Sequence, residues 1–130
     1  AWAGYLKDWE GPAEGERPAS YIIMLGDRRL TDDYNVDPGI AAQTIMLAAA
    51  ESGYGGCIIG SVDRIKLAEI LDLPDHFDII QVLALGQPAE KVVIEEAREG
   101  NIVYWRDQDN LHHVPKRRLD EIIIKQIGNE

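Results

Sequence analysis

The densest run of basic side chains in this chain lies near its C-terminus, at Lys116, Arg117 and Arg118. Arginine grips a phosphate through two parallel N–H donors, and lysine adds a compact positive charge, so this run has the chemistry of a phosphate site. A solvated basic turn in an acidic protein would have the same composition. The residues alone leave both interpretations open.

The other reactive side chains do not form a familiar catalytic or metal-binding pattern. His112 and His113 are adjacent, and adjacent residues on a strand point to opposite faces, so they cannot share one metal ion without distortion. Cys57 lies in a predicted core strand, which predicts a buried and inert thiol. Glu95 and Glu96 are predicted to be solvated. We therefore predict neither a catalytic side chain nor a metal site.

A glycine-rich stretch, Gly53 to Gly56, divides a small-residue helix from an apolar strand. A dinucleotide-binding loop has the opposite order, with a strand first, then the glycines, then a helix that holds the phosphate. These glycines are therefore interpreted as a helix C-terminal stop.

The elements around that stretch are predicted from caps and apolar runs. Asp37 is a plausible N-cap and Pro38 suits the first position of a helix that runs to about Ser52. A short buried strand at Cys57–Ile59 follows, and Gly60-Ser61 makes a tight turn, with Ser61 capping a second helix. That helix is predicted at Val62–Leu71.

Apolar runs predict two central strands, and the C-terminal part changes in character. The central strands, expected to be buried on both faces, are Ser20–Leu25 and Phe77–Leu85. The remaining predictions are a helix end at Ala1–Trp9, an extended arm at Lys91–Glu96, a hairpin of Ile102–Arg106 with Leu111–Val114, and helical spacing over Leu119–Ile127.

The bulk composition narrows the classes of partner. With 130 residues, a single domain is expected. The formal net charge of -10 disfavours nucleic acid and anionic membranes as partners. The single cysteine suits a reducing cytoplasm, and no apolar run approaches the ~18–20 residues of a membrane-spanning helix.

Taken together, several short motifs closely resemble the nitroreductase family of flavoproteins. The resemblance runs from about Tyr21 to Glu90, with a weaker match at Val114–Leu119. The motifs of the main part are Gly39-Ile-Ala-Ala-Gln43, the helix end Ala48–Gly56, Ile59-Gly60-Ser61 and Leu83–Glu90.

The resemblance implies an α+β fold: a mixed, mostly antiparallel sheet flanked by helices, with residues 91–130 as a C-terminal arm. It implies one nitroreductase-like domain over residues 1–130, corresponding to the C-terminal two-thirds of the family fold. The family's N-terminal arginine-containing segment is not found in this sequence. Family members are usually homodimers, with FMN at the subunit interface.

The resemblance also implies the cofactor residues and the reaction. Ile58, Ile59 and Gly60 would contact the flavin, and Lys116 and Arg118 would contact its phosphate. The implied activity is ping-pong transfer of reducing equivalents from NAD(P)H to a nitro compound, quinone or similar acceptor. The alternative is a flavin-free dimerisation or small-ligand-binding module on the same scaffold, which the missing basic segment favours. The sequence leaves open the acceptor and the choice of NADH or NADPH.

Overall fold

The structure is a computed structural model that describes residues 5–6 and 8–128. It contains two compact units, one of residues 12–88 and one of residues 1–11 with 89–130. The prediction of a single domain over residues 1–130 concerns the chain as a whole and stays a prediction.

The first unit is a three-stranded antiparallel sheet with two helices. Its elements in chain order are β1 (Ser20–Asp27), α1 (Asp37–Glu51), β2 (Gly55–Ile59), α2 (Arg64–Ile70) and β3 (Phe77–Gly86). The strand order is β1-β3-β2, so β3 lies in the middle and pairs antiparallel with both neighbours. The predicted central strand at Phe77–Leu85 is therefore confirmed.

The core of this unit is centred on β3. Leu83 is completely buried, and its neighbours Val82 and Ala84 are nearly so. Helix α1 packs against β2 and β3 and contributes Ala42, which is also completely buried. The small side chain of Ala42 lets the helix backbone lie close to the sheet.

The prediction that Ser20–Leu25 is a central strand, buried on both faces, is wrong. The strand exists as β1, but it pairs with β3 alone and lies at an edge of the sheet. The side chain of Tyr21 is 54% exposed, and Leu25 is also exposed. A continuous apolar run indicates burial, but the run itself does not specify how many strands pair with it.

Both predicted helix caps are wrong by one or two residues. Helix α1 begins after Val36, which makes no side-chain cap, and Asp37 lies inside its first turn. There its carboxylate still faces the positive end of the helix dipole. Helix α2 is capped by Asp63, whose carboxylate accepts the N–H of Lys66 at 3.1 Å. Asp63 takes the role predicted for Ser61.

The predicted end of α1 is confirmed at Gly53. Ser52 caps the helix, and Gly53 follows in the left-handed conformation with φ +80°. Gly55 and Gly56 belong instead to β2. Cys57, predicted to be buried, is exposed because β2 is an edge strand.

The second unit is a small mixed sheet with the order β4-β6-β5. Its elements are β4 (Val92–Glu96), β5 (Trp105–Arg106), β6 (His112–Lys116) and α3 (Leu119–Ile122). Strand β6 pairs parallel with β4 and antiparallel with β5. The extended conformation predicted for Lys91–Glu96 is confirmed by β4, which pairs within this sheet, whereas the role of residues 91–130 as an arm stays a prediction. The predicted hairpin is confirmed, although its first strand, β5, has only two residues.

The C-terminal helix is shorter than its sequence spacing predicts. It ends at Ile122, whereas the spacing predicted helix as far as Ile127. Ile124 is fully exposed, and Ile127 nearly so. Because a short helix without packing partners is marginal in water, the apolar spacing alone does not extend it.

The helix end predicted at Ala1–Trp9 lies largely outside the described residues. Within the described residues, no helix is long and apolar enough to cross a membrane.

Candidate functional site

The end of β2 carries the predicted flavin-contacting residues. Ile58 and Ile59 pair with Leu83 and Val82 of β3, so their side chains point to opposite faces of the sheet. Ile58 is 45% exposed, and Ile59 is half-buried. One aliphatic face at the strand end is therefore open to a ligand.

Gly60 follows the strand and leaves open space around its Cα. A Cβ built there would meet no described heavy atom within 4 Å. Its carbonyl oxygen accepts the N–H of Val62 at 3.1 Å, which forms the turn. Within the described residues, the N–H groups of Gly60 and Ser61 donate no backbone hydrogen bond. Two neighbouring backbone donors at this turn are thus available to a polar ligand edge.

The position of β2 depends on close packing against α1. A Cβ built on Gly56 would lie 2.7 Å from Met46 Cε and 2.7 Å from Leu85 Cδ2. Glycine therefore allows the helix and the neighbouring strand to approach β2 closely. This approach sets where the exposed end of β2, at Ile58 to Gly60, emerges from the sheet.

The predicted phosphate residues lie at the end of β6 and just beyond it. The backbone carbonyl of Lys116 accepts the N–H of Ala97 at 2.9 Å, which holds the end of the strand. Arg118 donates through Nε and Nη2 to the two carboxylate oxygens of Asp120, at 2.9 and 2.6 Å. Its Nη1 lies 3.6 Å from Glu96.

The carboxylates of Asp120 and Glu96 shift the pKa of the Arg118 guanidinium. The hydrogen bond to Asp120, followed by the charge of Glu96, raises the pKa of Arg118 above its usual value. The guanidinium in turn holds the pKa of Asp120 below its usual range. A phosphate at Arg118 would have to share or displace the bidentate Asp120 contact.

The predicted cofactor residues fall into the two units. Ile58, Ile59 and Gly60 are contiguous at the edge of the first sheet, and Lys116 and Arg118 are near neighbours in the second unit. The residues predicted to contact the flavin ring are thus close together in the first unit, and the two predicted to contact the phosphate are close together in the second. None of them lines the groove of about 900 Å³ in the first unit, which is bounded by Tyr34, Asn35, Val36, Pro38, Gly39, Ile40, Gln43, Thr44, Ile80 and Gln81.

Gln81, which lines that groove, has a buried side-chain oxygen, Oε1, with no hydrogen-bond partner among the described residues. Tyr34, on the groove wall, donates to Asp78 at 3.1 Å, and burial raises the pKa of Tyr34.

Sequence reasoning missed a histidine–carboxylate network in the second unit. Glu90 accepts from Arg106 at 2.7 Å, and its carboxylate lies 3.2 Å from His112. Burial alone would raise the pKa of Glu90, but these two partners bring it below its usual value. On the other face of β6, His113 lies 2.8 Å from Glu95, which was predicted to be solvated.

The parallel pairing of β4 with β6 brings Glu95 to His113, and the antiparallel pairing of β5 with β6 brings Arg106 beside His112. The hairpin of β5 and β6 was predicted, but no local sequence signal indicates the parallel pairing of β4 with β6. Across residues 5–6 and 8–128, no group of three metal-ligating side chains is arranged to hold an ion.

Comparison with known proteins gives a family match that covers the first unit. The model of the nitroreductase family matches residues 9–87. An "NADPH-dependent oxidoreductase" of Staphylococcus aureus strain MRSA252 is 39% identical over 57 residues, and its counterpart in strain USA300 is 37% identical over 57 residues. Each match covers 42% of this chain and 23% of the relative, so the chain aligns with about a quarter of the relatives' length.

Proposed function

The chain belongs to the nitroreductase family, and from this premise we propose that it is part of an FMN-dependent oxidoreductase. The proposed reaction passes reducing equivalents from NAD(P)H to a nitro compound, quinone or similar acceptor by a ping-pong mechanism. The relatives named NADPH-dependent oxidoreductase support a nicotinamide donor. When bound, FMN supplies the redox chemistry, and the protein supplies position and electrostatics.

The single observation that carries this proposal is the open turn after β2. Gly60 leaves space for close approach, and the N–H groups of Gly60 and Ser61 are unused within the described residues. These donors suit the polar edge of a flavin ring. Ile58 offers an exposed aliphatic side chain beside them, which suits the apolar face of such a ring.

Lys116 and Arg118 are proposed to contact the FMN phosphate. A phosphate monoester carries close to two negative charges at neutral pH, and this chain has a net charge of -10. Local positive groups must offset that repulsion. The side chain of Arg118 is 55% exposed despite its contact with Asp120, so its guanidinium remains accessible to an anion.

A homodimer is part of the same proposal. Helix α1 exposes Ile40 and Leu47, each 61% accessible, on a protein that carries many other exposed apolar side chains. Residues seven apart in a helix lie on the same face, and an exposed apolar helix face supports an interface. The proposed location is the cytoplasm, which suits the lone and exposed thiol of Cys57.

One observation favours the second candidate, a flavin-free dimerisation or small-ligand-binding module. Arg118 is already engaged by two carboxylates, Asp120 and Glu96, which compete with any phosphate. In such a module the C-terminal basic run would serve the fold of the second unit and would hold no phosphate.

A titration of the intact protein with FMN tests the two candidates against each other. Flavin fluorescence and absorbance report binding, and riboflavin, which keeps the isoalloxazine ring and the ribityl chain but lacks the phosphate, isolates the phosphate contacts. The oxidoreductase proposal predicts saturable FMN binding that is tighter than riboflavin binding. A flavin-free module predicts no saturable binding of either ligand.

A further inference from the structure

His113 in β6 lies between two carboxylates that come from different elements. Its Nδ1 is 2.8 Å from Glu95 Oε1 on β4, and its Nε2 is 3.3 Å from Asp107 Oδ2 in the turn between β5 and β6. The ring also stacks on Trp105 of β5, with centroids 4.9 Å apart and planes within 2°. The side chain of His113 is only 16% exposed.

This arrangement suits a doubly protonated ring. A neutral imidazole has one N–H donor and one lone pair, whereas ionised carboxylates only accept hydrogen bonds. With a neutral ring, one of the two nitrogens would direct its lone pair at a carboxylate oxygen. An imidazolium donates to Glu95 and Asp107 together and also neutralises part of their charge.

Asp107 is fixed by the turn that it closes. Its Oδ1 accepts the N–H groups of Asp109 and Leu111, at 3.0 and 2.8 Å, which leaves Oδ2 for His113. These backbone contacts, together with His113, hold the pKa of Asp107 below its usual range. The turn therefore presents a carboxylate that stays ionised.

We propose that His113 is a proton-dependent clamp, in which its imidazolium ties the β5–β6 turn to strand β4 and loss of the proton releases that tie. The clamp lies between the two ends of the β4–β6 ladder, where His112 donates its N–H to the carbonyl of Lys91 and the carbonyl of Lys116 accepts the N–H of Ala97. Between these ends, the side-chain bridge from His113 to Glu95 adds a contact that joins β6 to β4.

The charged groups around His113 come from every neighbouring element. Glu95 and Glu96 lie on β4, Asp107 lies in the turn, and Arg98, which follows β4, lines the same groove as His113. Arg118 lies 3.6 Å from Glu96 and offsets that carboxylate, whereas Glu95 and Asp107 contact the His113 ring directly, so the nearest charges favour the imidazolium.

The titration of His113 has a definite sign. Hydrogen bonds to Glu95 first, and to Asp107 second, raise the pKa of His113 above the usual value of ~6.5. The imidazolium therefore contributes stability that is fully present below pH ~6.5 and is lost as the pH rises through the folded-state pKa. The clamp is therefore closed at pH values below the folded-state pKa of His113 and open at pH values above it.

An NMR pH titration of the histidine rings in the intact protein tests the clamp. The expected midpoint for His113 lies above ~6.5. In Asp107→Asn the Oδ1 acceptor still closes the turn, while the new amide donates to Nε2 and favours the neutral ring. This variant should lower the midpoint by about one pH unit.

Asp109→Asn is the matched control, because it removes an equal charge from the same turn without removing a hydrogen bond to His113. It should shift the midpoint much less than Asp107→Asn does. Glu95→Gln is a second variant that removes the Nδ1 partner and should also lower the midpoint, so the test does not depend on one folded variant.

Amide hydrogen exchange supplies a readout of the release itself. After correction for the intrinsic pH dependence of exchange, protection of the Leu111 and His112 amides should fall through the same midpoint as the ring titration. The proposal is overturned if the midpoint of His113 lies at or below ~6.5, if Asp107→Asn and Asp109→Asn shift it equally, or if amide protection does not follow the ring.

Discussion

Arg118 and Asp120 form a two-point contact in the turn that begins α3, with Nε and Nη2 of the guanidinium 2.9 and 2.6 Å from the carboxylate oxygens. Because both residues are mostly exposed, this pair alone contributes little to stability. Its importance is that Asp120 occupies the face of Arg118 that a phosphate would use.

Arg118→Ala should weaken FMN binding by roughly ten- to a hundredfold, since one charged phosphate contact is worth ~1.5–3 kcal/mol. Riboflavin has no phosphate and should be affected much less. Arg117→Ala is the matched control and should leave the ratio of the two affinities unchanged. Equal losses for FMN and riboflavin would assign Arg118 to the fold.

Asp120→Asn should strengthen FMN binding relative to riboflavin, because it removes the carboxylate that competes with phosphate for Arg118. The expected gain is several-fold, as for an exposed ion pair. Isothermal titration of both ligands measures it. Weaker FMN binding in this variant would mean that Asp120 orients Arg118 for the phosphate.

Gly60→Val should lower FMN occupancy without unfolding the protein. A Cβ at this position meets no described atom within 4 Å, and Gly60 does not require a left-handed conformation. The added side chain would instead fill the space proposed for the flavin ring. Flavin content of the purified variant, with the thermal midpoint of the ligand-free form and Gly128→Val as a control, separates the two effects. Unchanged flavin content would count against Gly60 as a contact.

Gly26→Ala should destabilise the protein by about 1–3 kcal/mol, because the added methyl would overlap the ring of Tyr34. The displaced ring would also lose its hydrogen bond to Asp78. Urea denaturation measures the change, and Gly39→Ala, where a Cβ meets no described atom within 4 Å, is the control. Adding Tyr34→Ala to Gly26→Ala should cost less than the sum of the single changes; full additivity would show that the two positions are independent.

Much of the first unit was predictable because its signals are local. The continuous apolar run at Phe77–Leu85 predicted a central strand, and Gly53 predicted the end of α1. The edge position of β1 was not predictable in the same way, because it depends on which strands lie beside it. Cys57 was placed in the core for the same reason, since a short apolar strand can be central or at an edge.

The second unit shows where local reasoning fails. His112 and His113 were correctly expected to point to opposite faces, but their carboxylate partners could not be read from neighbouring residues. Glu95 reaches His113 only because β4 pairs parallel with β6, and a chain segment containing β5 separates the two strands. Similarly, apolar spacing predicted a longer C-terminal helix, but the spacing carries no information about what packs against it.

The reaction of the flavin-loaded protein with NADPH under anaerobic conditions tests the central claim most directly. The account predicts that the absorption band of bound oxidised flavin is lost on addition of NADPH and returns when a quinone is then added. Free FMN at the same concentration is the control. Saturable FMN binding with a flavin band that NADPH and NADH both leave unchanged would contradict the proposed oxidoreductase function.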